Sequence, residues 1–313
     1  MKSEAVTGRF APSPSGRMHL GNVFSAMLAW LYARHSGGTF LLRIEDLDPD
    51  RCRPEYAVQL RDDLRWLGFD WDAEGTPQSR RSAVYAERFR FLESLGLVYP
   101  CYCGRSELHA ASAPHASDGT PIYAGTCRSL TDGQRAAMTR RPAWRLRVPE
   151  REICFTDGLQ GIRRENLAAE CGDFIIRRSD GVYAYQLAVV TDDAEMGVTQ
   201  VVRGRDLLTS TPRQIYLQEL FGVPIPDYIH VPLLLSADGR RLSKRDRALD
   251  LGILRQTADP ETVIGLLAWK AGILDRPEPV SLREALGTFS PEKVRKDDQI
   301  LTEAELDRIP NKP

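Results

Sequence analysis

The sequence predicts an α/β protein built on a parallel sheet, interrupted by an inserted module and followed by a small helical region. Three observations carry this prediction. Strand-like and helix-like stretches alternate over the first hundred residues, the pattern of β-α-β units. The alternation fades over residues 99–182 and resumes at 183. Beyond Asp246 only short helical patterns and a polar tail remain. A chain of 313 residues allows about two domains. Its 42% hydrophobic and 27% charged content lies near the globular average and excludes wholesale disorder or a fibrous repeat. A net charge of −1 excludes a uniformly basic binder, though not a local basic face. No apolar run approaches the roughly 18 residues of a membrane span, and Met1-Lys2-Ser3-Glu4-Ala5-Val6 lacks the pattern of a secretory signal. A cytoplasmic protein with no membrane contact is expected.

Taken in order, residues 8–11 form a short strand that ends in the turn Pro12-Ser13-Pro14-Ser15-Gly16. Leu20, Val23, Phe24, Met27, Leu28 and Leu31 follow at helical spacing and stop at Gly37-Gly38, a C-terminal cap. Residues 39–44 read as a buried strand. Residues 54–67 and 82–95 read as helices ended by Gly68 and Gly96. In the inserted region glycine, proline and serine cluster between Gly104 and Gly133, before short strands near 144–148 and 153–155. Strand-like runs return at 183–190, 198–202 and 229–235. Between the last two, residues 212–221 form a helix with Pro212 in its first turn and Gly222 beyond its end.

Three segments carry chemistry. Only six of the 42 basic residues are lysines, and Lys244 is the sole one between Ser3 and Trp269. Where arginine is the default cation, an isolated lysine marks a position that wants a compact ammonium. It sits in Arg241-Leu242-Ser243-Lys244-Arg245, after the turn Ser236-Ala237-Asp238-Gly239. Such a cationic loop suits the neutralisation of charge developing on phosphates, although alone it is equally an ordinary solvated loop. The second segment is His19-Leu20-Gly21-Asn22, which opens the first helix. Helix N-termini present unpaired N–H groups to anions, His19 adds a donor, and Gly21 permits close approach. The third holds Cys101-Tyr102-Cys103 and, after a 19-residue gap, Tyr123-Ala124-Gly125-Thr126-Cys127. Six cysteines in a chain this long do not make a disulfide scaffold, so the close pair reads as metal-binding or incidental. Zinc takes four ligands in a tetrahedron. Tyrosine is an unusual zinc ligand, so chemistry alone favours a histidine of the intervening loop, His109 or His115, as the fourth over Tyr123.

Together the His19 and Lys244 segments resemble the paired signatures of class I aminoacyl-tRNA synthetases. Gly8-Arg9-Phe10-Ala11-Pro12-Ser13-Pro14-Ser15-Gly16, Leu42-Arg43-Ile44-Glu45-Asp46-Leu47-Asp48, Tyr185-Gln186-Leu187-Ala188-Val189-Val190 with Asp192-Asp193, and Val202-Arg203-Gly204-Arg205-Asp206 resemble the glutamyl/glutaminyl branch. Two details depart from that pattern: Leu242 stands in place of methionine and Gln186 in place of asparagine. The resemblance covers about residues 5–250. It implies a Rossmann-like, doubly wound catalytic domain in two halves, residues 1–98 and 183–245, around an inserted zinc/acceptor-type module at 99–182. A helical stem-contact region and tail would occupy 246–313.

The resemblance also implies roles. His19 and Lys244 would be catalytic, and His19, Gly21, Ser243 and Lys244 would bind ATP with its Mg2+. Arg9 and Arg203 would bind the carboxylates of L-glutamate, Glu45 its ammonium, and Ser13 and Tyr185 its polar atoms. Cys101, Cys103, Tyr123 and Cys127 resemble the zinc site of the glutamyl-queuosine tRNA(Asp) synthetases, with one structural Zn2+ per chain; this likeness favours Tyr123 over the two histidines. The stretch after Lys244 is too short for a separate helical anticodon-binding domain, so none is expected. The implied enzyme is a monomer that activates glutamate without tRNA and passes it to queuosine in tRNA(Asp). A short glutamyl-tRNA synthetase that charges tRNA(Glu) and a non-catalytic RNA-binding paralogue remain alternatives.

Overall fold

The structure, a computed structural model, describes residues 5–104, 122–240, 242 and 250–306. The chain opens with β1 (Thr7–Phe10), α1 (Leu20–His35), β2 (Thr39–Leu42), α2 (Pro54–Trp66) and β3 (Ala73–Glu74). β1 pairs with β2 in parallel register from Thr7 opposite Thr39 to Phe10 opposite Leu42, and β3 extends the sheet on the far side of β2. Leu20, Val23, Phe24, Met27, Leu28 and Leu31 of α1 are completely buried. A helix apolar on nearly all sides belongs inside a core, and α1 is covered by the sheet on one side and by C-terminal helices on the other. Its end is set by Gly37, whose φ of 64° lies where a Cβ is strained.

Helix α3 (Ser82–Ser94) leads into a second region: β4 (Val98–Cys101), α4 (Asp132–Ala136), β5 (Ala143–Leu146), β6 (Glu152–Asp157), β7 (Gly161–Asn166), α5 (Leu167–Glu170) and β8 (Phe174–Arg177). Here pairing is antiparallel. β5 lies between β4 and β8, and β6 forms a hairpin with β7. Sequence patterning does not reveal β4, β7 or β8. β7 buries neither face well, so alternation is absent and only its ladder to β6 makes it a strand.

The parallel layer resumes with α6 (Tyr185–Glu195), β9 (Gln200–Gly204), α7 (Thr211–Phe221), β10 (Asp227–Val231) and β11 (Leu234–Leu235). β9 pairs in parallel with β10. It also lies beside β1, where Thr199 N donates to Thr7 O at 3.0 Å and Thr7 N donates to Thr199 Oγ1 at 2.9 Å. The strand-like run at residues 183–190 is corrected by the structure: Tyr183 makes a single antiparallel bridge with Arg177, and from Tyr185 onward the run is the first part of helix α6. Leu187, Ala188, Val189 and Val190 are all buried, and a continuous apolar run looks the same for a buried strand and a buried helix.

The last elements are α8 (Leu251–Thr257), α9 (Pro260–Ala271), α10 (Leu282–Thr288), β12 (Gln299–Ile300) and α11 (Glu303–Leu306). They do not form an appendage. Val263, Leu267, Leu282, Phe289 and Leu301 share one apolar cluster with Phe24, Met27 and Leu31 of α1. β12 pairs in parallel with β11. Lys270 Nζ donates to Ile300 O at 2.7 Å and to Glu305 Oε1 at 2.6 Å, which ties down the segment after Pro291. Among the described residues no helix is long and apolar enough to cross a membrane.

Candidate active site

β1 is flanked by β2 on one side and β9 on the other, so the chain order reverses between β1 and β9. Open α/β sheets bind ligands in the crevice outside the strand ends at such a switch point. A cleft of about 450 Å³ lies there, within the usual size range of small-molecule sites. Arg9, Ser13, His19 and Gly21 line it from the β1–α1 side. Glu45, from the segment after β2, lines it together with Tyr185 at the start of α6 and Arg203 near the end of β9. The fold thus brings into one cavity seven residues separated by as many as 194 positions (Arg9 to Arg203). Ser243 and Lys244 lie outside the described residues. Leu242 before them lines the cleft. Asp250, which follows the undescribed stretch, bridges His19 through the backbone, and Leu251 N donates to Met18 O at 3.2 Å.

One wall of the cleft presents the Glu45 carboxylate, the other the Arg203 guanidinium, with Asp206 also in the lining. On the first, Arg43 is fully buried; its Nη1 donates to Asp193 Oδ1 at 2.6 Å and its Nη2 to Glu45 Oε1 at 2.9 Å. Arg9 Nε donates to the same Asp193 oxygen at 3.3 Å. Asp192 accepts from Gln78 Nε2 at 2.7 Å, Arg81 Nε at 2.7 Å and Tyr85 OH at 2.8 Å, while Arg81 also reaches Glu195 at 2.5 Å. Of this network Arg9 and Glu45 line the cleft itself, and the other charges brace them from behind. Burial pushes the Glu45 carboxyl above its ordinary range, and Arg43 and Arg9 only partly offset it. A further cation in the cleft, such as an ammonium, would offset the remainder. At Asp193 burial acts upward too, but Arg43 and Arg9 outweigh it and hold the carboxyl below its usual range.

On the opposite wall the partners of Arg203 among the described residues are all neutral. Nε donates to His230 Nε2 at 3.0 Å, Nη1 to Gln214 Oε1 at 2.8 Å and Nη2 to Thr211 Oγ1 at 2.8 Å. Gln214 Nε2 in turn donates to Gln186 Oε1 at 2.8 Å, so the residue that departs from the expected asparagine braces this clamp. A cleft lined by the Glu45 carboxylate and by the Arg9 and Arg203 guanidiniums offers an acceptor to an ammonium and donors to carboxylates, which suits a small zwitterion. Burial raises the Tyr185 phenol, which keeps it a donor.

Helix α1 points its N-terminus at the same cleft, and its first N–H groups are an anion site. His19 is the N-cap, and its backbone N–H donates to Asn22 Oδ1 at 3.2 Å. A Cβ on Gly21 would come within 3.1 Å of the His19 ring, so any larger residue there crowds the imidazole at the helix entrance.

The cysteine motif forms a separate cluster. Cys101, Cys103 and Cys127 bring their sulfurs within 4.8 Å of one another, and none is in a disulfide. Cys103 Sγ and Cys127 Sγ are 3.6 Å apart. Tyr123 Oη is 3.5 Å from Cys101 Sγ and 3.9 Å from Cys103 Sγ. A tetrahedron with metal–sulfur bonds of about 2.3 Å has S···S edges of roughly 3.8 Å, so this donor set fits zinc. His109 and His115 lie outside the described residues. A register shift between Trp144 and Arg145 accompanies the placement of Arg145 Nε 3.2 Å from Cys101 Sγ, with its guanidinium 3.7 Å from the centre of the Tyr123 ring. Burial raises the Cys103 thiol to about 12.

The residues 5–273 match the family model of the class I tRNA synthetases (E and Q), catalytic domain. Over 298 residues the chain is 51% identical to the glutamyl-Q tRNA(Asp) synthetase of Nitratidesulfovibrio vulgaris, covering 91% of this chain and 92% of the relative. The corresponding protein of Nocardia farcinica is 48% identical, with 95% and 93% covered. This chain belongs to the glutamyl-Q tRNA(Asp) synthetase family. A class I synthetase of this family also shares its fold with a glutamate tRNA ligase from Elizabethkingia meningosepticum, crystallised in complex with its amino acid. That likeness has a TM-score of 0.82 at 28% identity and covers 98% of this chain and 69% of the ligase.

Sequence reasoning overlooked several groups of this synthetase. Arg43, Asp192 and Asp193 lay within quoted motifs without a role. Asp157, Gln214, Thr211 and His230 were not singled out. The available signal was charge in an apolar setting: Arg43 between Leu42 and Ile44, or His230 between Ile229 and Val231, since charged or polar groups are rarely buried without partners. Arginines of the adjacent pairs at 80–81, 163–164 and 177–178 make contacts within the protein. Arg81 holds Asp192, Arg164 pairs with Glu152, Arg178 pairs with Asp180 and Asp48, and Arg177 lies over the Tyr183 ring.

Proposed function

We propose that this chain activates L-glutamate with ATP, without tRNA, and transfers the glutamyl group to the queuosine base of tRNA(Asp). The observation that carries the reading is the cleft at the switch point that gathers Glu45, Arg9 and Arg203 into one lining, in a chain about half identical to glutamyl-Q tRNA(Asp) synthetases. The glutamate ammonium meets Glu45, and its carboxylates meet Arg9 and Arg203, with Ser13 and Tyr185 completing the polar lining. The phosphates of ATP, accompanied by magnesium, approach the N-terminus of α1 beside His19, where Gly21 leaves room. Ser243 and Lys244 belong to the same reading, supported by the positions of Leu242 and Asp250 on either side of them. The glutamate carboxylate attacks the α-phosphorus, pyrophosphate leaves, and the protein contributes alignment and fixed charge. In the second step a queuosine hydroxyl attacks the acyl carbon and AMP leaves.

The division into residues 1–98, 99–182, 183–245 and 246–313 follows the same reading, as does a cytoplasmic monomer. Cys101, Cys103, Cys127 and Tyr123 would hold one structural zinc, which braces the antiparallel region. Metal analysis should then find one zinc per chain, and stripping it with a chelator should lower the melting temperature. The function is tested with labelled glutamate, ATP and either queuosine-bearing tRNA(Asp) or tRNA(Glu). Label is expected on tRNA(Asp) alone, with glutamate-dependent pyrophosphate exchange in the absence of any tRNA. Label on tRNA(Glu) alone would overturn the reading.

A further inference from the structure

We infer that His230, held by Asp157, is a positioning residue that fixes the Arg203 guanidinium while leaving its positive charge for a substrate carboxylate. The inference rests on the reading of Arg203 as a carboxylate site. His230 and Asp157 are both buried, and they come from different elements: His230 from β10, Asp157 from the end of β6. His230 Nδ1 and Asp157 Oδ2 are 2.6 Å apart, and His230 Nε2 is 3.0 Å from Arg203 Nε. Arg203 has no lone pair to offer, so Nε2 must be the acceptor and Nδ1 must carry the proton donated to Asp157. Only the neutral Nδ1–H tautomer satisfies both contacts. Asp157 is held in turn by the backbone N–H groups of Leu159, Gln160 and His230, at 3.0, 2.8 and 3.2 Å.

Comparison with Arg43 shows what this arrangement accomplishes. Arg43 is orientated by carboxylates, and they consume its charge. Arg203 is fixed at Nε, Nη1 and Nη2 by an imidazole, an amide and a hydroxyl, and among the described residues no carboxylate pairs with it. A carboxylate in the place of His230 would hold the guanidinium equally well but compete with the substrate. The imidazole transmits orientation from Asp157 across its ring and keeps that negative charge one residue away. Gln160, in the turn after Asp157, also binds His230 O at 2.9 Å and Lys296 O at 3.3 Å, so the β6–β7 hairpin joins the pocket wall to the C-terminal segment.

The test is glutamate-dependent pyrophosphate exchange on the full-length enzyme, with kcat, the KM for glutamate and the KM for ATP measured separately. His230→Ala removes the acceptor and is expected to raise the KM for glutamate about ten- to a hundredfold, the range for one charged hydrogen bond, with the KM for ATP within about twofold. His230→Gln supplies a neutral oxygen acceptor and is expected to recover most of the loss. His230→Asp supplies a charged one and is expected to stay as impaired as alanine, because it pairs with Arg203. If His230→Ala proves unstable, the contrast between the glutamine and aspartate variants decides the matter alone. Equal glutamate KM values for these two, or an unchanged KM in a folded alanine variant, would overturn the inference. Arg203→Gln separates the two levels: if it leaves the glutamate KM unchanged, the carboxylate site itself is misread. If it raises the KM while the His230 variants do not, only the positioning role fails.

Discussion

Arg43 is the residue on which the Glu45 wall turns, because it is fully buried and contacts Glu45 and Asp193 directly. Removing one member of a buried ionic cluster leaves the others uncompensated. Arg43→Gln is therefore expected to lower the unfolding free energy by about 3–5 kcal/mol, read by urea denaturation; a loss below about 1 kcal/mol would contradict the cluster. His230 makes a second residue-level prediction. Burial brings its folded pKa down to about 4 from 6.5, with Arg203 adding to the effect and Asp157 and Asp206 opposing it. Because the unfolded chain takes up this proton first, its stabilisation is complete above pH 6.5 and is lost as pH falls toward 4. The loss approaches about 3 kcal/mol at roughly 1.4 kcal/mol per pH unit. The wild type should lose this increment between pH 7 and pH 4, and His230→Gln should not. The chemistry of such residues was partly legible: a charge among apolar neighbours announces a partner. Which partner it finds was not, since Arg43 and Asp193 are 150 positions apart.

At the scale of elements, the first helix shows how far local signals reach. Spacing, the glycine stop and the His-Leu-Gly opening all identify α1, and the structure places it at Leu20–His35. In the proposed reading its role in binding ATP depends on one missing side chain. Gly21→Ala should leave stability unchanged or raise it, since alanine gains up to about 1 kcal/mol in a helix, while its Cβ crowds the His19 ring at 3.1 Å. Pyrophosphate exchange is expected to fall about tenfold or more, with the rise in KM falling on ATP rather than on glutamate. Full activity in that variant would show that His19 has no fixed position to lose. Elements whose pattern does not encode their surroundings were the ones misread. Helix α6 is buried on so many sides that its apolar run resembles a strand, and β7 exists by pairing rather than by burial.

Over the whole molecule, the C-terminal segment is part of the catalytic core. Leu301 is 2% exposed and joins the cluster built around α1. Leu301→Ala is expected to cost about 2–5 kcal/mol in chemical denaturation, and a change under 0.5 kcal/mol would make the segment a loose tail. By itself the sequence determined the α/β class, the interruption by an inserted region, the helix start at His19-Leu20-Gly21, the cysteine cluster and the family, because each is written in neighbouring residues or fixed spacing. Tertiary structure alone decided which charges are spent inside the protein and which remain for a ligand. Arg43, just past the end of β2, and Arg203, in β9, are the same side chain, and only the groups that folding delivers around them, the carboxylates of Glu45, Asp192 and Asp193 to one and an imidazole, amide and hydroxyl to the other, make the first structural and the second available.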